Sequence, residues 1–341
     1  MSLVINGEIQ DSVLTKNARG GTELMRDRFL KVVDPDLLQG IAVHFSRPQE
    51  PIRDMINILY CHDLAGDPAT NVLHTQIGKD AFAAYVFVSY WQRDQFIARY
   101  DLDLGKCIVI ENAIEQEYID DPAPFKDQET LRFIYHTTPH RGLELAVPIF
   151  QQLAKTHQNI HFDVYSSFDL YGWPSRNEPY QALFKTIEDD PNMTYHGSVS
   201  NGEILEALKK SHFFLYPCIW PETSCLAMIE AIACGVISIY SAWGALPETG
   251  KSWCNTGMHT LDGKSDDLAV LSLEATKHLL KSIEVMGRDE FFRHLWNIRN
   301  PSLFYHCHSL QTYKTRWDIL LSTLKGHEFD VRSFLPQTEE I

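Results

Sequence analysis

Short apolar runs ending in polar residues alternate along this chain with stretches of helical period. In the leading third the runs are Ile58 to Cys61, Ala84 to Ser89 and Lys106 to Asn112. The stretch from Tyr90 to Tyr100, after the second run, is amphipathic. A Pro-rich, charged stretch over 120–129 breaks the pattern and reads as a linker. The pattern then restarts. Strands are predicted over 131–137, 160–166, 193–199, 212–218 and 236–241, with helices over 142–157, 201–211 and 224–235. Asn201 or the nearby Ser200 caps the second of these helices, and Gly235 stops the third. Such runs with helices between them indicate parallel sheets covered on both faces. Near the end, Leu310 to Leu324 forms an amphipathic helix carrying Trp317, and 326–341 reads as a loosely held tail.

The expected architecture is therefore α/β, with two Rossmann-like doubly wound domains in series facing a central cleft. A length of 341 residues suits two domains better than one. Residues 1–120 form the first and 121–300 the second. The segment 301–341 is expected to pack its helix back on the N-terminal domain. Ligands of such sheets bind at the carboxyl ends of the strands, and the cleft is the default site.

Composition narrows the function. No apolar run reaches membrane-spanning length, and Met1 to Asp11 lacks the features of a secretory signal. A formal charge of -15 argues against nucleic acid on a basic face. Peripheral contact with a membrane stays open. The seven cysteines are scattered without a C-x-x-C spacing and read as reduced thiols of a cytoplasmic protein.

The candidate chemistry gathers in "IWPETSCLAMIEAIACG". Glu222 lies in a turn that Thr223 or Ser224 closes by capping the next helix. The first free amides, near Ser224, Cys225 and Leu226, make a phosphate site. Glu222 and Glu230 are eight residues apart, about 12 Å if the interval were wholly helical. They cannot grip one atom, but they can grip opposite ends of an extended ligand with a diphosphate between. Glu230 sits in an otherwise apolar helix, so it needs partners: ribose hydroxyls or an internal arginine. Arg141, after the first strand of the second domain, suits a bidentate phosphate contact, with His140 beside it; otherwise it is a surface arginine at a helix start. Gly20 and Gly21 precede a helix starting near Thr22 and allow close backbone approach, or form a plain turn. His62 and Asp63 end a strand, at a ligand edge or in a turn.

Other signals are discounted. "HCH" at 306–308 lacks metal-ligand spacing, and the aromatic cluster from Tyr165 to Trp173 reads as packing. No G-x-G-x-x-G, P-loop or nucleophile elbow is present.

Together these residues resemble the retaining Glu-x7-Glu glycosyltransferases of the GT-B fold, the glycosyl transferases group 1. "PETSCLAMIEAIACGVISIYSAWGALPE" is similar to the family's signature strand–helix–strand, and "TTPHRGL" to its loop ending in a basic residue and glycine. "ARGGTE", "YCHD" and "VIENAIE" are its weaker first-domain marks. The resemblance implies transfer of a hexosyl group from a nucleoside-diphosphate sugar to a hydroxyl acceptor, a glycan or lipid-linked sugar. Stereochemistry would be retained and neither metal nor other cofactor required. Glu230 would bind the ribose, and Glu222 would sit by the donor sugar. Ser224, Cys225 and Leu226 would hold sugar and phosphate, and Arg141 the diphosphate. Gly21, with Gly20, would line the phosphate side, and His62 would face the sugar near the acceptor. Ser224-Cys225 stands where the family often has Phe-Gly. Thr137 and Thr138 stand where it often has arginine, which leaves the diphosphate to Arg141. The alternatives are a non-catalytic nucleotide-sugar-binding module and a nucleotide-sugar epimerase on the same fold.

Overall fold

The computed structural model describes residues 2–11, 20–118, 129–250, 256–258, 265–298 and 307–326. The linker reading falls almost wholly outside them, as do the tail beyond Gly326, His306 and Cys254. Described residues of 2–11, 21–113 and 307–326 form one compact unit. Gly20, 114–118 and the described residues of 129–298 form a second.

The first unit opens with a hairpin, β1 (Ser2–Ile5) and β2 (Glu8–Asp11). Its two-residue turn, Asn6-Gly7, has φ values of 50° and 83°, the left-handed pair that matches the twist of the flanking strands. Helix α1 (Gly21–Val32) follows, then β3 (Ile41–Phe45), β4 (Ile56–Cys61), α2 (Gln76–Asp80), β5 (Ala84–Phe87), α3 (Tyr90–Tyr100) and β6 (Cys107–Val109). The sheet order is β2-β1-β3-β4-β5-β6, with β3 to β6 parallel and β1 antiparallel to both neighbours.

The second unit contains β7 (Leu131–Tyr135), α4 (Leu143–Ala154), β8 (Ile160–Val164), α5 (Gln181–Glu188), β9 (Met193–Tyr195), α6 (Asn201–Lys210) and β10 (Phe213–Tyr216). It continues through α7 (Leu226–Ala233), β11 (Ile237–Ser241), α8 (Leu246–Gly250), β12 (Thr256–Met258), α9 (Ser265–Met286) and α10 (Arg288–Ile298). Its six strands are all parallel in the order β12-β11-β10-β7-β8-β9. The direction of winding reverses between β7 and β10, so the crevice at their carboxyl ends is the topological switch point where such sheets bind ligands. Strands β7, β10 and β11 read as apolar runs because helices cover both their faces.

The final helix, α11 (Leu310–Leu324), belongs to the first unit. Its Trp317 is fully buried, with ring centroids 4.7 Å from Phe29 and 5.0 Å from Tyr60. Tyr313 adds a hydroxyl contact to Tyr60 at 3.2 Å.

Candidate functional site

Two loops leave the switch point together. The loop after β7 carries His136 to Gly142; the loop after β10 carries Pro217 to Cys225. Their backbones touch: Ile219 N–H donates to the Arg141 carbonyl at 3.2 Å. Gly142 adopts a φ of +125°, and a Cβ there would lie 2.2 Å from the Pro217 carbonyl oxygen. Only glycine permits that conformation and that approach. A third loop, after β11, closes on the second. Ala245 N–H donates to the Glu222 carbonyl at 2.7 Å, and Gly244, at φ +62°, packs against the backbone of Pro221 and Glu222.

This clamp brings Arg141 and Glu222 into a direct ion pair, Nη1 to Oε1. The Tyr216 hydroxyl donates to the same carboxylate oxygen. The Glu222 side chain is 5% exposed and that of Arg141 21%. Burial works against the guanidinium charge, but Glu222, Tyr216 and Tyr171 outweigh it and hold the Arg141 pKa well above its usual value. Burial also pushes the Cys218 thiol up to about 12 and the Cys225 thiol well above its ordinary value, so both are protonated at neutral pH.

The β7 loop is unusual in its unmet polar atoms. Among the described residues Thr138 Oγ1, His136 Nδ1, His140 Nδ1 and Arg141 Nε are buried without a hydrogen-bond partner. Burial pushes His136 down to about 4, against a hydrogen bond with the Ala227 backbone. His140 is likewise held at about 4 by burial and by the charges of Arg141 and Arg176. Both imidazoles are neutral at pH 7; the one N–H of His136 is given to the Ala227 carbonyl, so its Nδ1 is an acceptor, while His140 Nδ1 can donate without bringing a charge. Four buried donors or acceptors left unmet in six residues are costly in isolation.

Helix α7 begins later than its sequence suggests. Cys225, rather than Thr223 or Ser224, is the residue before its first turn, and its side chain makes no capping bond. The Ser/Thr capping expectation is thus corrected: Cys225 is still extended, at φ -98° and ψ 95°, and Glu222 ahead of it is tied down by Arg141 and Ala245. Glu222 accordingly precedes the helix, whereas Glu230 is the one charged residue of α7 and is 8% exposed. Ser224, Cys225 and Leu226 lead into α7 directly after the Glu222 that Arg141 pairs with, and Glu230 lies within that helix. In the first unit, Gly21 opens α1 directly after the buried Gly20. His62 follows β4, its ring 4.2 Å from Tyr60 and stacked over Phe45 at 6.2 Å. Burial pushes its pKa down to about 3.

Tyr216 and Gly244 were not singled out from the sequence, and Gly142 was read only as the glycine closing a family-like loop. Tyr216 looks like any strand-end aromatic, and the glycines act through backbone contacts between segments far apart in the chain. A separate cavity of about 690 Å³ lies beside α6, lined among others by Arg132, Asp163, Tyr165 and His196. Burial alone would raise the Asp163 pKa, but hydrogen bonds from His196 and Arg132 and the His161 charge hold it below its usual value. Its charges neutralise one another, unlike the unmet atoms of the β7 loop. Among the described residues no group of three His, Cys, Asp or Glu is placed to hold a metal ion, and no helix is long and apolar enough to cross a membrane.

Residues 115–281 match the family model described as glycosyl transferases group 1. A phosphatidylinositol N-acetylglucosaminyltransferase subunit of Arabidopsis thaliana is 21% identical over 201 residues, 58% of this chain and 40% of that protein. The chain thus spans well under half the length of that relative. Among solved structures, a glycosyltransferase from Rickettsia africae ESF-5 superposes with a TM-score of 0.66 at 14% identity, covering 92% of this chain and 84% of that one. Anabaena Alr3699/HepE, solved with UDP and glucose, gives 0.59 at 13% identity over 79% and 72%. At these identities the likenesses show the fold, that of GT-B proteins with two α/β units.

Proposed function

We propose, from the match of residues 115–281 to the model of the group 1 glycosyl transferases, that the chain moves a hexosyl group from a nucleoside-diphosphate sugar to a hydroxyl acceptor, with retention and without a metal. The observation that carries this reading is the β7 loop at the switch point. Its buried, unmet Thr138 Oγ1, His140 Nδ1 and Arg141 Nε can all donate, and an anionic, oxygen-rich ligand would satisfy them.

Cleavage of the anomeric bond drives negative charge onto the departing diphosphate. In this reading Arg141 and the first amides of α7 stabilise it, with neutral His140 as an added donor. Glu222, fixed by Arg141 and Tyr216, orients the sugar rather than attacking it. Glu230 meets the ribose hydroxyls. The acceptor hydroxyl attacks from the leaving-group face and passes its proton to the departing phosphate. Gly20, Gly21 and His62 are assigned to the phosphate and acceptor sides. A uridine nucleotide is the first donor to try, because HepE was solved with UDP and glucose. The acceptor is a glycan or lipid-linked sugar.

The test incubates the full chain with a panel of nucleotide-sugars in EDTA and follows nucleotide release. Nuclear magnetic resonance then reads the anomeric configuration of the product. Release by wild type, retention in the product and at least a hundredfold loss in Arg141→Ala are expected, since one preorganised donor is worth roughly 100–1000-fold. Donor binding without release would leave only a binding module. Epimerised donor without acceptor would mean the epimerase, and an inverted product would overturn retention.

A further inference from the structure

We infer that Trp243, with Trp220, forms an aromatic platform for a pyranose ring beside Glu222; this deepens the transferase reading and rests on it. Trp243 is 48% exposed and Trp220 40%. Indoles are normally largely buried, so two that remain open in loops flanking one buried carboxylate are informative.

Neither is loose. Trp220 lies two residues before Glu222, and its ring meets the His140 imidazole edge to face at 5.2 Å. Its carbonyl accepts from the Cys218 thiol at 3.2 Å. Trp243 sits in the turn after β11. Its backbone N–H donates to the Ser241 carbonyl at 2.8 Å, and the Ser241 hydroxyl donates to the Cys218 carbonyl. The next residue, Gly244, has no room for a Cβ: one would lie 2.6 Å from the Glu222 backbone nitrogen and oxygen. Ala245 then hydrogen-bonds the Glu222 carbonyl. The turn that presents Trp243 is therefore bolted to the backbone of Glu222, and a shift in one moves the other. Preorganised aromatic surface costs little conformational entropy on binding.

The chemistry selects a sugar. An indole face carries negative quadrupole charge. One face of a pyranose presents several C–H bonds of slight positive charge, while its hydroxyls need hydrogen-bond partners at the rim. Indoles beside a fixed carboxylate and guanidinium supply both. A lipid surface would be better served by apolar residues without a buried ion pair among them. The pyranose belongs to the donor or to the acceptor, and separate measurements distinguish the two.

Binding of UDP, UDP-glucose, and free glucose, N-acetylglucosamine and chitotriose is measured by calorimetry for wild type, Trp243→Ala, Trp243→Phe and Trp220→Ala. Trp243→Ala should keep UDP affinity within about twofold, which reports an intact fold and phosphate site. It should lose about tenfold either in the advantage of UDP-glucose over UDP, which assigns the donor ring, or in free-saccharide affinity, which assigns the acceptor. Trp243→Phe should restore most of the loss. Unchanged saccharide terms in both alanine variants overturn the platform, as does equal loss of UDP and UDP-glucose. Loss of binding to phosphatidylinositol-containing vesicles with saccharide terms intact assigns the indoles to a lipid surface and also overturns it. Failure of wild type to bind any nucleotide instead strikes the donor reading, and the free-saccharide measurements still decide the platform.

Discussion

Replacing Arg141 with alanine should destabilise the second unit even without any ligand. The variant leaves the Glu222 carboxylate, 5% exposed, with the Tyr216 hydroxyl but without its cation. Removing one partner of a buried ion pair costs about 3–5 kcal/mol. Arg141 is itself one-fifth exposed, so some water reaches the pair and the lower end, about 3 kcal/mol, applies. At roughly 2–4 °C per kcal/mol for a unit of this size, the melting temperature should fall by about 6–12 °C. Glu222→Gln keeps the shape and the tyrosine contact, and alone leaves the guanidinium uncompensated. In the double variant neither charge remains to be orphaned, so its loss should be smaller than the sum of the single losses by at least about 1.5 kcal/mol. Thermal and urea unfolding by circular dichroism at pH 7 measure all four proteins. A loss below about 0.5 kcal/mol in Arg141→Ala, or additivity within that margin, would refute the reasoning.

Gly142→Ala combines a left-handed backbone with a Cβ 2.2 Å from the Pro217 carbonyl; a loss of about 2–4 kcal/mol in urea unfolding is expected, and a neutral result would deny the loop contact. Glu230→Ala should weaken nucleotide binding at least about tenfold by calorimetry while leaving the affinity for inorganic pyrophosphate unchanged; equal losses would remove it from the ribose. Transfer in EDTA should equal transfer in magnesium, and activity restored only by the metal contradicts the metal-free account. His62, His136 and His140 stay neutral in the fold down to about 3, 4 and 4, while unfolded histidine takes a proton near 6.5. The unfolded chain therefore binds more protons below that value, and stability should fall from pH 6.5 to 5. The slope is at most about 1.4 kcal/mol per pH unit for each histidine. A flat urea midpoint across that window would place these rings in water.

The second unit was largely legible because its strands are buried on both faces and its helices carry one apolar stripe. Strands were expected over 131–137, 212–218 and 236–241; they form at Leu131–Tyr135, Phe213–Tyr216 and Ile237–Ser241. The excess at their carboxyl ends, such as His136 and Pro217, is the part that turns into site loops. The β1–β2 hairpin went unread although Asn6-Gly7 is a strong turn signal, because its strands are only four residues long. Strand β3, Ile41–Phe45, was also missed; it contains a histidine, whose partner Asn57 lies on β4. In the site, single residues were visible but their pairing was not. Arg141 and Glu222 are 81 positions apart, and nothing local tells one that the other will neutralise it.

The return of α11 to the first unit makes the second unit an insertion within the first. The first unit is assembled from 2–11, 21–113 and 307–326, and Trp317 fills the space between Phe29 and Tyr60. During synthesis the whole second unit emerges before the first can close its core. The early segment must wait, with Phe29 and Tyr60 lacking their indole, while some two hundred residues are translated. Truncation before Leu310 should therefore damage the opposite end of the chain, whereas a cut in that segment after folding should leave the halves associated through α1 and α11.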